Sequence, residues 1–190
     1  AIIASDQAVI GYASSIQMEV HISTQTNITN IETIRFYSHF ADVIVLSREL
    51  SLFQIKKISK EIEKQKIKGP SGELIQIEIF AHGALCVAVS GKCYMSLHTT
   101  NSSANRGACI QNCRKTYTVT DKEDGHQFEI DNEYIMSPKD LCTIGFLDQV
   151  LEAGTNILKL EGRGRSPEYV KTTTQCYREA ADSYLSGTYT

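Results

Sequence analysis

Over its first 80 residues the chain alternates short β-type runs with helical stretches, and this alternation restricts the fold more than any other feature. The β-type runs fall at residues 1–4, 19–23, 42–46 and 74–80. Between them the clearest helical stretch is 51–65, where Leu52, Ile55, Ile58 and Ile62 recur at the spacing of one helix face. Ser51 followed three residues later by Gln54 is a capping box, and Gly69-Pro70-Ser71-Gly72 is a loop into the next strand. Ser137-Pro138-Lys139-Asp140 predicts a further helix, with Ser as cap, Pro at the first position, and Leu141, Ile144, Leu147 and Leu151 on its buried face. A last strand is predicted at 156–161, and Ser166-Pro167-Glu168 opens a last helix by the same device.

Repeated βα units imply an α/β fold with a parallel sheet and right-handed crossovers. A closed eight-unit barrel needs roughly 250 residues, and this chain has 190. The pattern therefore predicts a partial (β/α) TIM-like barrel made of its C-terminal units, with a small doubly wound sheet as the alternative. Ala1 opens directly on a strand-like run, which predicts a fragment: a single domain over 1–190 that lacks its N-terminal strands. Residues 116–120 and 127–130 predict a small hairpin insert.

After Phe80 the alternation stops. Residues 82–117 are rich in Gly, Ser, Asn and Cys, show no sustained period, and read as a cysteine-rich loop held by something other than a core. Of the six cysteines, Cys86, Cys93, Cys109 and Cys113 fall within 28 positions, while Cys142 and Cys176 stand alone. Such clustering points to a metal site in a reducing compartment, and so to the cytoplasm. No apolar run approaches the roughly 20 residues of a membrane span, and no secretory segment opens the chain. Zinc sites of four cysteines usually use two short C-x-x-C knuckles. The wider, irregular spacing here favours an iron–sulfur cluster, with zinc as the alternative. Gly83, Gly91 and Gly107 each precede a cysteine by two or three residues and would let backbone amides approach cluster sulfurs. A nucleophilic pair of His82 with Cys86 would leave the other three cysteines unexplained.

A net charge of −3 does not announce a nucleic-acid binder. Yet residues 82–117 hold Lys92, Arg106, Arg114 and Lys115 and no Asp or Glu. That run either meets anionic ligands or offsets thiolate charge. In βα folds the chemistry sits at the C-terminal ends of the strands. Those ends carry His21, Ser23, Thr24 and Gln25; then Ser47, Arg48 and Glu49; then His82; then Lys159, Glu161, Gly162 and Arg163.

At these residues the chain resembles a known family. Glu78-Ile79-Phe80-Ala81-His82-Gly83-Ala84-Leu85-Cys86, Ser90-Gly91-Lys92-Cys93-Tyr94-Met95-Ser96, Ser103-Ala104-Asn105-Arg106-Gly107-Ala108-Cys109 and Gln111-Asn112-Cys113-Arg114 resemble the signature of peptidase family U32. Ser23-Thr24-Gln25, Ser47-Arg48-Glu49-Leu50, Ser137-Pro138-Lys139-Asp140-Leu141 and Lys159-Leu160-Glu161-Gly162-Arg163 extend it over nearly the whole chain. The resemblance implies a βα barrel and an iron–sulfur cluster, of the 4Fe–4S type, on Cys86, Cys93, Cys109 and Cys113. Other members of the family act in anaerobic ubiquinone synthesis, a branch that Cys113 argues against, which leaves two activities. One is that of a collagenase-like peptidase. The other is oxygen-independent hydroxylation of a pyrimidine in tRNA or ribosomal RNA, with prephenate as co-substrate; the compact block before Cys109 looks closest to this RNA branch.

The residues favour the hydroxylase. There is no H-E-x-x-H, no G-x-S-x-G and no recognisable carboxylate pair, whereas a redox step needs an electron carrier beside a substrate pocket. Arg48, Glu49, His82, Lys159, Glu161 and Arg163 are then the expected catalytic residues. Arg48, Lys159 and Arg163 would hold a small carboxylate co-substrate, and the basic cysteine loop would face RNA phosphates. A local ion-pair network of Lys159, Glu161 and Arg163, and a zinc-stabilised binding module, are the competing readings.

Overall fold

The computed structural model describes residues 1–129, 136 and 139–189. The chain divides into two compact units, residues 1–83 with 141–190 and residues 84–140.

In the first unit the alternation of the sequence becomes a parallel sheet. Strands β1 (Ile2–Ala4), β2 (Val20–Ile22), β3 (Val43–Val45) and β4 (Gln76–Gly83) pair in that order, each parallel to the next. The helices between them are α1 (Gln7–Ser15), α2 (Ile31–Tyr37) and α3 (Leu52–Gln65). The capping box of α3 is formed, Ser51 accepting from the Gln54 amide while the Gln54 side chain returns to the Ser51 backbone. A side chain points to alternate faces at each step along a strand. Ile22, Ile44, Ile77 and Ala81 accordingly pack with Ile55, Ile58 and Ile62 of α3 in the core. The opposite face carries His21, Glu78 and Phe80.

The second unit, residues 84–140, contains α4 (Met95–Thr100), 3-10 turns at Ala104–Arg106 and Asn112–Arg114, and a hairpin of β5 (Thr118–Thr120) with β6 (Gln127–Glu129). The hairpin appears where the sequence places it, although Ile130 lies outside the described residues. The expected loop thus has local structure, built without a regular period.

One expectation is corrected. Leu141 to Leu151 do not form a single helix. Leu141–Cys142 is a strand, β7, antiparallel to Gly83 and His82 at the end of β4. A 3-10 turn follows at Ile144–Phe146, and helix α5 begins only at Leu147 and ends at Glu152. The amide of Thr143 donates to Ala81 O at 3.1 Å, so backbone pairing with β4 takes the donors an earlier helix would have used. Ser137 and Pro138, the expected cap, lie outside the described residues. β8 (Ile157–Leu160) then pairs parallel to β4, and α6 (Pro167–Leu185) starts on its Ser-Pro signal, with Ser166 Oγ accepting from the Tyr169 amide. Among the described residues the result is a six-stranded, mainly parallel α/β sheet in which β1 pairs only with β2 and β8 only with β4.

Candidate functional site

Glu78 lies in the middle of β4 and is 3% exposed. A buried carboxylate is costly unless its oxygens are satisfied. Glu78 divides its two oxygens between two strands: Oε1 accepts from Lys159 Nζ of β8 at 2.9 Å, and Oε2 lies 2.9 Å from His21 Nδ1 of β2. The other ring nitrogen of His21, Nε2, lies 3.2 Å from Glu19 Oε1. Phe80, two residues beyond Glu78 on the same face, is level with Lys159 in the parallel register. The Arg48 guanidinium stacks over the Phe80 ring at 4.2 Å, and Lys159 Nζ lies 5.4 Å from the same ring centre. Arg48 Nε is buried and makes no hydrogen bond among the described residues. One aromatic ring thus gathers two cations at the C-terminal end of the sheet, an arrangement suited to an anion.

The other residues expected from the strand ends are placed differently. Glu49 is exposed and accepts from Ser47 Oγ, which also reaches Asn27 Oδ1 at 3.0 Å. Glu161 turns back on its own loop and accepts from the Arg163 amide at 2.8 Å. Its backbone amide donates to His82 O, and its carbonyl oxygen stands against Gly83. His82 is held by α6, with Nε2 2.9 Å from Tyr169 Oη and Nδ1 3.4 Å from Tyr177 Oη. Tyr177 Oη donates to Ala81 O and accepts from the Thr143 amide. Burial pushes the Tyr177 hydroxyl above its ordinary pKa, and the hydrogen bonds from Thr143 oppose that rise. These contacts fix the imidazole as a joint between β4 and α6. Of the expected set, the structure brings Arg48 and Lys159 together. It adds Glu78 and Phe80, absent from the strand-end list, and His21, named among the strand ends but not among the expected catalytic residues. The available signal was a charged residue inside the otherwise apolar run Ile77-Glu78-Ile79.

Cys86, Cys93, Cys109 and Cys113 all belong to the second unit and are free thiols, Cys86 exposed and the other three half-buried. Burial pushes the Cys113 thiol up, and the neighbouring thiols of Cys86 and Cys109 push it further, against the pull of Arg114. Cys113 therefore lies near enough to two of the other cysteines to feel their charge, a repulsion that a bound cation would relieve. Among the described residues no three His, Cys, Asp or Glu side chains already form a group that could hold a metal ion. The donor chemistry fits a thiolate-bound metal, and a closed cage is not preformed. The unit is otherwise held by polar contacts. Buried Asn112 donates to Met95 O and Thr99 Oγ1, Ser96 Oγ accepts from the Ile110 amide, Tyr117 Oη donates to Asn112 O, and Arg114 pairs with Asp140.

The chain matches the model of peptidase family U32 over residues 1–190. It is 58% identical, over its whole length and 46% of the relative's, to a Porphyromonas gingivalis protein named Collagenase. It is 36% identical to tRNA hydroxylation protein P1 of Bacillus subtilis, covering 89% of this chain and 39% of that one. It is 38% identical to the 23S rRNA 5-hydroxycytidine C2501 synthase of Escherichia coli, covering 88% of this chain and 24% of that one. The chain thus spans about half the length of the first of these relatives and less of the others. No solved structure matches. Among the described residues no helix is long and apolar enough to cross a membrane.

Proposed function

The chain belongs to peptidase family U32, and from that premise we propose that it is part of an RNA-modifying enzyme that hydroxylates a pyrimidine of tRNA or ribosomal RNA without oxygen. Prephenate is its co-substrate and a 4Fe–4S cluster on Cys86, Cys93, Cys109 and Cys113 its cofactor. The observation that carries this reading is the pair of relatives named for tRNA and ribosomal RNA hydroxylation, each matching nearly nine-tenths of the chain. Two structural features support it. A thiol-bearing unit whose buried residues, among those described, are polar calls for a metal to hold it. The paired cations on Phe80 suit a co-substrate that carries carboxylates.

In this reading the sheet is part of a (β/α) barrel whose further strands pair with β1 and β8. The cluster, when bound, supplies single electrons. Arg48 and Lys159, with Arg163 at the end of β8, clamp the carboxylates of the co-substrate. The buried Arg48 Nε gains there the acceptor it lacks. Phe80 gives the pocket an apolar wall, and the basic residues of 84–117 meet RNA phosphates.

The 58% identity to a protein named Collagenase favours a second reading, a peptidase. Mass spectrometry of tRNA and ribosomal RNA nucleosides from a deletion strain, beside a gelatin-cleavage assay of the purified protein, separates the two. Loss of a hydroxylated pyrimidine is expected. Unchanged hydroxypyrimidines in both RNA pools, with gelatin cleavage that survives cysteine substitution, would establish the peptidase instead.

A further inference from the structure

Four ionisable side chains make one unbroken hydrogen-bonded line on the face of the sheet away from α3. Glu19 Oε1 meets His21 Nε2 at 3.2 Å, His21 Nδ1 meets Glu78 Oε2 at 2.9 Å, and Glu78 Oε1 meets Lys159 Nζ at 2.9 Å. The parallel register gives the line a direction. His21 is level with Val43 and hence with Gln76, whereas Lys159 is level with Phe80, four residues further along β4. The line therefore climbs the strands by about 13 Å. Its lower end is in solvent, the Glu19 side chain being 60% exposed. Its upper end is Lys159, 22% exposed, beside Phe80 and Arg48. Between them the side chain of His21 is 18% and that of Glu78 4% exposed.

Each interior member has one partner on each side. His21 can receive a proton on Nε2 and release one from Nδ1, and Glu78 can receive on Oε2 and deliver to Nζ after a half-turn of its carboxyl group. An ion pair built for stability alone needs neither the histidine nor the link to solvent at the end of the strands opposite the site.

We propose that Glu19, His21 and Glu78 form a proton relay that reloads Lys159 from solvent at the N-terminal edge of the sheet. The inference rests on the reading that the strand ends around Phe80 hold the reacting molecules. In one turnover the Lys159 ammonium gives one proton to a basic atom of the bound co-substrate and becomes an amine. One solvent proton enters at Glu19 and passes to His21 Nε2. The Nδ1 proton passes to Glu78, and Glu78 returns it to Nζ. Exchange with solvent then resets the ring: Nε2 loses one proton and Nδ1 gains one, which restores the starting tautomer with no net change in protons. One proton enters for each proton delivered, and no electron moves along the line. The far end of the path stays open while RNA or co-substrate covers the upper end.

Chemical rescue tests it. With the anaerobically purified protein and its RNA substrate, His21→Ala is expected to lower kcat by about tenfold or more, the scale of a lost proton-transfer group, with KM for RNA unchanged. Added imidazole is expected to restore kcat, and His21→Asn, which keeps a polar side chain in the strand, to lose as much. Full kcat in His21→Ala, or a loss that imidazole leaves untouched in both variants, overturns the relay. If the wild-type protein hydroxylates no RNA, the functional reading fails instead, and nitrogen-15 NMR of His21 decides the relay. The Nδ1–H resonance is expected to be hydrogen-bonded and to move in Lys159→Met, through the carboxylate the two share. A resonance indifferent to Lys159→Met overturns it.

Discussion

At Glu78 the cost of burying a carboxylate is met by two partners from two other strands, and the balance is testable. Lys159→Met leaves Glu78 buried with His21 alone; removing one member of a buried pair costs about 3–5 kcal/mol. Since Lys159 is 22% exposed, the lower end is expected. Glu78→Leu with Lys159→Met removes both charges, and urea unfolding should show the double variant losing less than the sum of the singles. Arg48 calls for a different experiment, because its guanidinium stacks on Phe80 and keeps a buried Nε without a hydrogen bond. Arg48→Lys retains the charge but not the plane or the fork. KM for the carboxylate co-substrate is expected to rise about tenfold while the unfolding free energy changes by less than about 0.5 kcal/mol. Arg48 and Lys159 were legible because a strand end is where a βα fold exposes polar groups. The roles of Glu78 and His21 were harder to read, since they depend on residues 57 apart in sequence meeting across β3 on one face of the sheet. Glu49, Glu161 and His82 share the strand-end signal, yet their neighbours Ser47, the Arg163 amide and Tyr169 take up their polar atoms.

Among the elements, β4 sets the limits of local reasoning. Strand, helix and cap signals located α3 and α6 closely, because Ser51 with Gln54 and Ser166 with Pro167 act within one turn of the chain. The stretch from Leu141 to Leu151 has helical spacing too. Its first residues instead complete the end of β4, and that partner is nearly 60 residues away, beyond any local window. The same strand end requires a glycine. Gly83 has φ +106°, and a Cβ there would run into the backbone carbonyl of Glu161. Gly83→Ala must therefore adopt a strained backbone and push β8 aside, and is expected to cost about 2–4 kcal/mol. Gly107→Ala, at φ +89° with open space around it, should cost about 1–2 kcal/mol, the backbone share alone. Thermal unfolding of the two variants separates steric clash from conformational strain.

Across the whole molecule the two units differ in what holds them. All the buried hydrophobic residues of the core cluster belong to residues 1–83 and 141–190. Among the described residues, those buried in 84–140 are Ser90, Ser96 and Asn112. The sequence carried this contrast as a loss of periodicity after Phe80 together with four clustered cysteines. What it could not convey was the local order that polar contacts build there, such as Asn112 bridging Met95 and Thr99. In a unit of 57 residues whose described residues bury only polar side chains, hydrogen bonds alone give little stability, and metal–thiolate bonds are the usual remedy. Stripping the metal should therefore open one unit and spare the other. In limited proteolysis of anaerobically prepared protein, the loaded form is expected to resist cleavage throughout. The form treated with oxygen and chelator should be cut within 84–140 while fragments of 1–83 persist. Cys113→Ser should resemble the stripped protein. Cys142→Ser and Cys176→Ser should resemble the loaded one, because those two cysteines are exposed and lie in the unit that has its own core. Iron in the protected form supports the cluster, and zinc in its place would reassign the metal while keeping the fold argument. Equal resistance before and after stripping would mean that the four thiols hold no structural metal, and the assignment of Cys86, Cys93, Cys109 and Cys113 as ligands would fall with it.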